Sequence, residues 1–180
     1  MAVAFEHSTP QPAAGVEALF LAHHERVLRA AYRITGRMSD AEDVAQSVFM
    51  HLIQNGGAAS IGNAESYLYR AAINAGLDLL RRRAHECATP LDEAASLANK
   101  AADSSPERAC SSAELRQWLR RALAGLGPRS AEVFVLRYLE ERELRDIAQM
   151  LGTSRAVVAV MLHRARACLR SDFRRFMGDE

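Results

Sequence analysis

Cysteine, aromatic residues and net charge are all scarce in this chain of 180 residues. Its three cysteines, Cys87, Cys110 and Cys168, are widely spaced and odd in number, which argues against a disulfide framework and for the reduced thiols of a cytoplasmic protein. His85, Cys87 and Cys110 lack the close ligand spacing of a structural zinc site, so no metal is expected. The net charge of +1 does not advertise nucleic acid, and any basic surface must be local. No apolar run approaches the ~20 residues that span a bilayer, so membrane insertion is not expected. The chain has no Gly-rich nucleotide loop, no G-x-S-x-G and no H-E-x-x-H. Neither a catalytic residue nor a cofactor is therefore expected. Residues 1–15 lack a basic start and a long apolar core, contain Pro10 and Pro12, and read as a disordered tail. One Trp and six Phe beside abundant Ala, Leu and Arg lean towards an all-α protein of one ordinary or two small domains.

What is present is helical periodicity with clear punctuation. In 143–170, ELRDIAQMLGTSRAVVAVMLHRARACLR, residues Leu144, Ile147, Ala148 and Leu151 recur on one helix face. Gly152 follows where a left-handed cap is needed, and Ser154 offers an N-cap oxygen to a second helix. That helix has Val158, Leu162, Ala165 and Leu169 as its buried stripe. Arg155, Ala156, Ala159, Val160, His163, Arg166 and Arg170 stay outside. This is the pattern of a helix-turn-helix, whose second helix lies in the DNA major groove. Two packed helices with a solvated basic face fit the same residues.

The first half reads as three helices. Residues 16–37 carry Leu19, Phe20, Val27, Leu28, Ala31 and Ile34 at helical spacing, closed by Gly36. Ser39 and Glu42 suggest a capping box, with Val44, Val48, Phe49, Leu52 and Ile53 inward and Asp43, Gln46, Ser47 and Met50 outward. After a break at 55–57, Asn63 is a candidate N-cap for a helix over 64–83. Its expected core is Tyr67, Leu68, Ala71, Ala72, Leu77 and Leu80, and it ends in Arg81, Arg82 and Arg83. Segment 84–108 holds five acids against two bases among Ala, Ser and Pro, the composition of a flexible linker. Ser105 and Pro106 then start a helix with Leu115, Trp118, Leu119, Ala122 and Leu123. Pro128 starts another, with Val133, Phe134, Leu136 and Tyr138.

DAEDVAQSVFMHL, ESYLYRAAINAGLDLLRRR and the helix-turn-helix ending in LHRARACLR, in this order and at this separation, resemble the extracytoplasmic-function (ECF) sigma factors of the sigma-70 family. The resemblance implies an all-α chain of two small helical domains, 16–83 (sigma region 2) and 106–176 (sigma region 4), joined by a linker over 84–105. It implies a dissociable subunit that gives bacterial core RNA polymerase, through its β′ and β subunits, promoter specificity and help in melting. Helix 40–53 then matches the polymerase-docking surface, with Asp40, Asp43, Gln46, Ser47 and Met50 as contacts. Many members carry Glu at the position of Ser47. The loop 58–64 and the helix after it match the minus-ten reader: Ser60, Asn63, Tyr67 (where the family usually has Trp), Arg70, Asn74 and Asp78, with Arg81, Arg82 and Arg83 on phosphates. The second domain matches the minus-thirty-five reader through Arg155, Ala156, Ala159, Val160, His163, Arg164 and Arg166. Here the chain departs from the pattern. Val157, Ala159, Val160 and Met161 stand where Thr, Lys or Arg, Ser and Arg are common, so promoter sequence does not transfer.

Two other readings stay open on the residues alone. One is a helix-turn-helix regulator that acts without core polymerase and leaves 39–83 without a purpose. The other is a helical protein that binds polymerase or an antagonist without reading DNA. An anti-sigma partner and control by synthesis alone are equally compatible with the sequence, which names neither stimulus nor regulon.

Overall fold

The computed structural model describes residues 13–55, 63–88 and 106–178, and every regular element among them is an α-helix. The order is α1 (Ala13–Thr35), α2 (Met38–Gln54), α3 (Ala64–Ala88), α4 (Pro106–Gly125), α5 (Pro128–Tyr138), α6 (Leu144–Leu151) and α7 (Arg155–Met177). Residues 1–12, the loop at 56–62 with Ser60, and the linker over 89–105 with Ser105 lie outside the described residues, as do the side chains of Cys87 and Cys110.

The first unit is α1 packed on α2 and α3. Val27, Ala30, Ala31 and Ile34 of α1 close on Val44, Val48, Phe49 and Leu52 of α2 and on Leu68, Ala72, Ile73 and Leu77 of α3. Gly76 lets α1 come this near: a Cβ there would stand 3.3 Å from the Ile34 side chain. Asn63 caps α3 as expected, its Oδ1 accepting from the Ser66 amide at 2.9 Å. The capping box at Ser39 does not form. Helix α2 starts at Met38 with Arg37 as N-cap and no side-chain cap bond. Asp40, the acid of the first turn, is instead drawn to Arg83.

In the second unit α5 and α6 pack against α7. Gly152 adopts φ +60, the left-handed conformation that a Cβ disfavours, and turns the chain from α6 into α7. Ser154 Oγ accepts from the Val157 amide at 3.3 Å. The buried stripe of α7 is Val158, Leu162, Ala165 and Leu169, as its periodicity requires.

Several inward assignments fail. Ile53 is 55% exposed, although Leu52 beside it is buried. Phe20, Tyr67, Leu115 and Tyr138 are also exposed. In α3 the buried residues include Tyr69 and Ile73, because this helix is covered from two sides, by α1 and α2 and by α4 and α5. A helix packed on two sides has no single stripe for periodicity to find.

Candidate nucleic-acid and polymerase interface

The outward face of α2 is set by its inward one. With Val44, Ala45, Val48 and Phe49 buried, Asp43, Gln46, Ser47 and Met50 are left exposed along one side. Ser47 Oγ donates to the Asp43 carbonyl at 2.8 Å, a bond within the helix. Asp40 does not belong to this face. It is 5% exposed and accepts from both terminal nitrogens of Arg83, at 2.5 and 2.6 Å, with Arg37 Nε 3.9 Å away. The pair joins the first turn of α2 to the last turns of α3. It ties a residue expected at the polymerase contact to one expected at a phosphate.

The expected minus-ten set on α3 is divided. Tyr67 and Arg82 are exposed, and Asp78 and Arg81 pair with each other at 2.6 Å. Arg70 Nε donates to Glu132 Oε1 of α5 at 2.8 Å, and Arg70 Nη1 to the Met150 carbonyl of α6 at 2.8 Å. Asn74 Nδ2 donates to the same Glu132 oxygen at 3.3 Å. A groove of about 650 Å³ opens beside this contact, between the start of α3 and α6, lined by Asn63, Tyr67, Arg70, Arg142 and Gln149 among others.

The residue before Arg70 on α3 makes a second contact between the units. Glu140 Oε2 accepts from the Tyr69 hydroxyl and from Arg33 Nη1, the latter at 2.9 Å, and Arg33 also donates to the Leu139 carbonyl. The guanidinium groups of Arg142 and Arg26 stand 5.5 and 5.8 Å from the Tyr69 ring centre. Burial, and next the Glu140 carboxylate that accepts its proton, push the Tyr69 phenol well above its ordinary value. Glu140 is held at this point by a strained corner. Glu141 has φ +54, a conformation that costs a residue with a Cβ about 1–2 kcal/mol. Arg142 N–H returns to the Leu136 carbonyl at 2.9 Å and closes the end of α5.

The sequence reading had no place for Glu132 or Glu140. A signal for Glu132 existed. It falls one turn before Val135 and Leu136, so helical spacing put a carboxylate on an apolar face, where an acid must find a partner.

Helix α7 is simpler. Arg155, Ala156, Ala159, Val160, His163, Arg164 and Arg166 are all exposed on the side away from its core stripe. Val160 is 50% exposed and Val157 is 41% exposed, which places two branched apolar side chains in the open beside the arginines. Among the described residues no group of His, Cys, Asp and Glu is placed to hold a metal ion, and no helix is long and apolar enough to cross a membrane.

Residues 19–86 match the family model for sigma-70 region 2, and residues 116–169 match that for sigma-70 region 4. The ECF RNA polymerase sigma factor SigM of Mycobacterium tuberculosis is 31% identical over 153 residues, covering 84% of this chain and 73% of that protein. This chain is an ECF-type sigma factor of the sigma-70 family. The ECF RNA polymerase sigma factor SigE of Mycolicibacterium smegmatis is 32% identical over 148 residues, covering 82% of this chain. The match takes in 57% of the length of SigE. Among solved structures, the sigma factor RpoE of Bartonella quintana, seen there in complex with the anti-sigma factor NepR, aligns at a TM-score of 0.49 with 18% identity, over 88% of this chain and 96% of that one. In this ECF sigma factor, then, α1–α3 carry region 2 and α4–α7 carry region 4, with the helix-turn-helix in α6–α7.

Proposed function

We propose that this sigma factor binds bacterial core RNA polymerase in the cytoplasm, directs it to promoters with two-part elements, and assists their melting. The polymerase keeps the bond-forming site, and the sigma factor acts by binding alone. Region 2 docks through the exposed face of α2, with Asp43, Gln46, Ser47 and Met50 in the contact and Asp40 as its internal brace. The start of α3 and the loop before it read the minus-ten element through Asn63, Tyr67, Arg70 and Asn74, with Arg82 on a phosphate. Arginine suits phosphate or guanine, and the Asn amide offers both a donor and an acceptor to a base edge. Region 4 reads the minus-thirty-five element with α7. Arg155 and His163 face bases, Ala159 and Val160 face thymine methyl groups, and Arg164 and Arg166 face the backbone.

The observation that carries this reading is the pairing of an exposed reading face on α7 with an exposed docking face on α2 in one chain. A regulator working without polymerase needs only the first. Transcription in vitro with core polymerase on a genomic promoter library tests it, with Asp43→Arg beside the parent protein. The parent protein should start transcripts from a discrete promoter set. Asp43→Arg should bind core at least ten-fold more weakly, since a reversed charge in a complementary interface costs on the order of 1–3 kcal/mol or more. Footprinting of DNA by the chain alone, with no transcripts from added core, would reject the proposal in favour of a plain regulator.

A further inference from the structure

Helix α7 does not stop where the family likeness does. The region 4 match ends at residue 169, whereas α7 runs on to Met177. Gly178 closes it there at φ +78, its N–H donating to the Arg174 and Arg175 carbonyls. Packing holds these last turns in place. Phe173 and Phe176 lie against Trp118 of α4, with ring centres 4.9 and 6.0 Å from that of the indole. The end of α7 is thereby tied to the first helix of region 4.

The outer face of the lengthened helix has an order. Arg155, Ala159, His163, Arg166, Arg170 and Arg174 follow one another at intervals of three or four residues and form one exposed stripe. The positions assigned to bases come first. Three arginines follow, at steps of about 6 Å along the axis. Asp172, the one acid of α7, is half-buried and lies on a different side. Among the described residues none of the three arginines takes part in an ion pair. Arg170 Nε leans back on the Arg166 carbonyl at 3.4 Å. Attraction to the helix C-terminus accounts for Arg174, which stands in the last turn. It does not account for Arg166 and Arg170, which stand further in, where like charges four residues apart destabilise a helix.

The length of α7 says what such a stripe can meet. Its 23 residues make a rod about 34 Å long, and the major groove is about 12 Å wide. With its N-terminal residues on base edges, the helix must climb out of the groove past the phosphate backbone. Reading helices of the homeodomain type contact that backbone with their C-terminal end. We infer that Arg170 and Arg174 continue from Arg166 as a second phosphate-binding site, on the backbone that flanks the minus-thirty-five element. The inference rests on the reading of α7 given above. The ligand is the phosphodiester of duplex DNA, which every flanking sequence presents. The site therefore adds affinity without adding sequence preference. The contact of Phe173 and Phe176 with Trp118 holds both arginines at a set distance from the reading segment, so the same flanking phosphates are met on each promoter.

The test uses holoenzyme on a promoter duplex that it selects from a random library. Single phosphates in and around the minus-thirty-five element are replaced by neutral methylphosphonates. Arg170→Ala, Arg174→Ala and Arg170→Lys are compared with the parent protein, and Arg164→Ala is the reference for a backbone contact at the element itself. Circular dichroism and core affinity check that each variant folds and docks. Each of the first two variants should bind roughly three- to ten-fold more weakly on every promoter and lose about one unit of salt slope. Arg170→Lys, which keeps the charge, should keep the slope. At one or two phosphates outside the element, neutralisation should weaken the parent by a similar factor and have no further effect on the matching alanine variant. Absence of any sensitive phosphate outside the element would overturn the inference, as would equal sensitivity there in parent and variants. Lost core affinity in Arg170→Ala and Arg174→Ala would make these arginines polymerase contacts and overturn it too. If Arg164→Ala also binds every promoter like the parent, the placement of α7 on DNA is wrong. If Arg164→Ala loses binding while Arg170→Ala and Arg174→Ala do not, that placement stands and only the flanking site is rejected.

Discussion

Replacing Asp40 by Asn decides whether this carboxylate faces the polymerase, as its place in the sequence suggests, or holds region 2 together, as the structure places it. Asn keeps the shape of the side chain and one acceptor, removes the charge, and sets an NH2 group against the Arg83 guanidinium. Two charge-assisted bonds, at 2.5 and 2.6 Å, are affected. Bonds to charged partners contribute about 1.5–3 kcal/mol each when buried, a gross loss of roughly 3–6 kcal/mol. Two features reduce it. One acceptor survives, and Arg83 is 38% exposed, so water replaces part of what its guanidinium loses. A net cost of about 2 kcal/mol follows, roughly a 30-fold change in the folding equilibrium. With a urea slope of about 2 kcal/mol per molar, the unfolding midpoint should fall by about 1 M. Arg83→Gln should cost a similar amount, and the double variant little more than either single one, because both remove the same pair. Below the unfolding transition, Asp40→Asn should bind core polymerase like the parent protein. A parental urea midpoint together with a large loss of core affinity would refute the argument and return Asp40 to the docking face.

Two further outcomes can be measured directly. The phenol of Tyr69 is raised in the folded chain, so the stability it contributes is complete below the unfolded value of about 10 and is lost as pH climbs through the folded one; tyrosinate absorbance should show one late step among the four tyrosines, absent in Tyr69→Phe, and its persistence in that variant would be evidence against the buried bond to Glu140. On α7, Arg164→Ala or Arg166→Ala should weaken holoenzyme binding alike on all promoters and flatten the salt dependence by about one unit of slope, whereas His163→Ala or Arg155→Ala should shift preference at particular upstream positions by about 1–3 kcal/mol, and a uniform loss in all four would remove the base-reading role.

What the sequence disclosed was governed by neighbours in the chain. Gly152, Ser154, Asn63 and Pro128 act within one turn of themselves, so their caps and breaks could be read from order alone. The α7 stripe was legible because that helix has one covered side over its recognition segment. The errors came from distance. Ser39 and Glu42 spell a capping box, yet the first turn of α2 is organised by Arg83, 43 residues on in the sequence. On α3 the order of apolar residues favoured Tyr67 over Tyr69, and only the corner after α5, where Glu140 and Arg142 meet the Tyr69 side chain, explains why Tyr69 is the buried one. The exposed faces of α2 and α7 were legible by subtraction, as what remained after the core was assigned. Subtraction does not reveal exposure on α3, where Glu132 of α5 and Met150 of α6 meet the side left over.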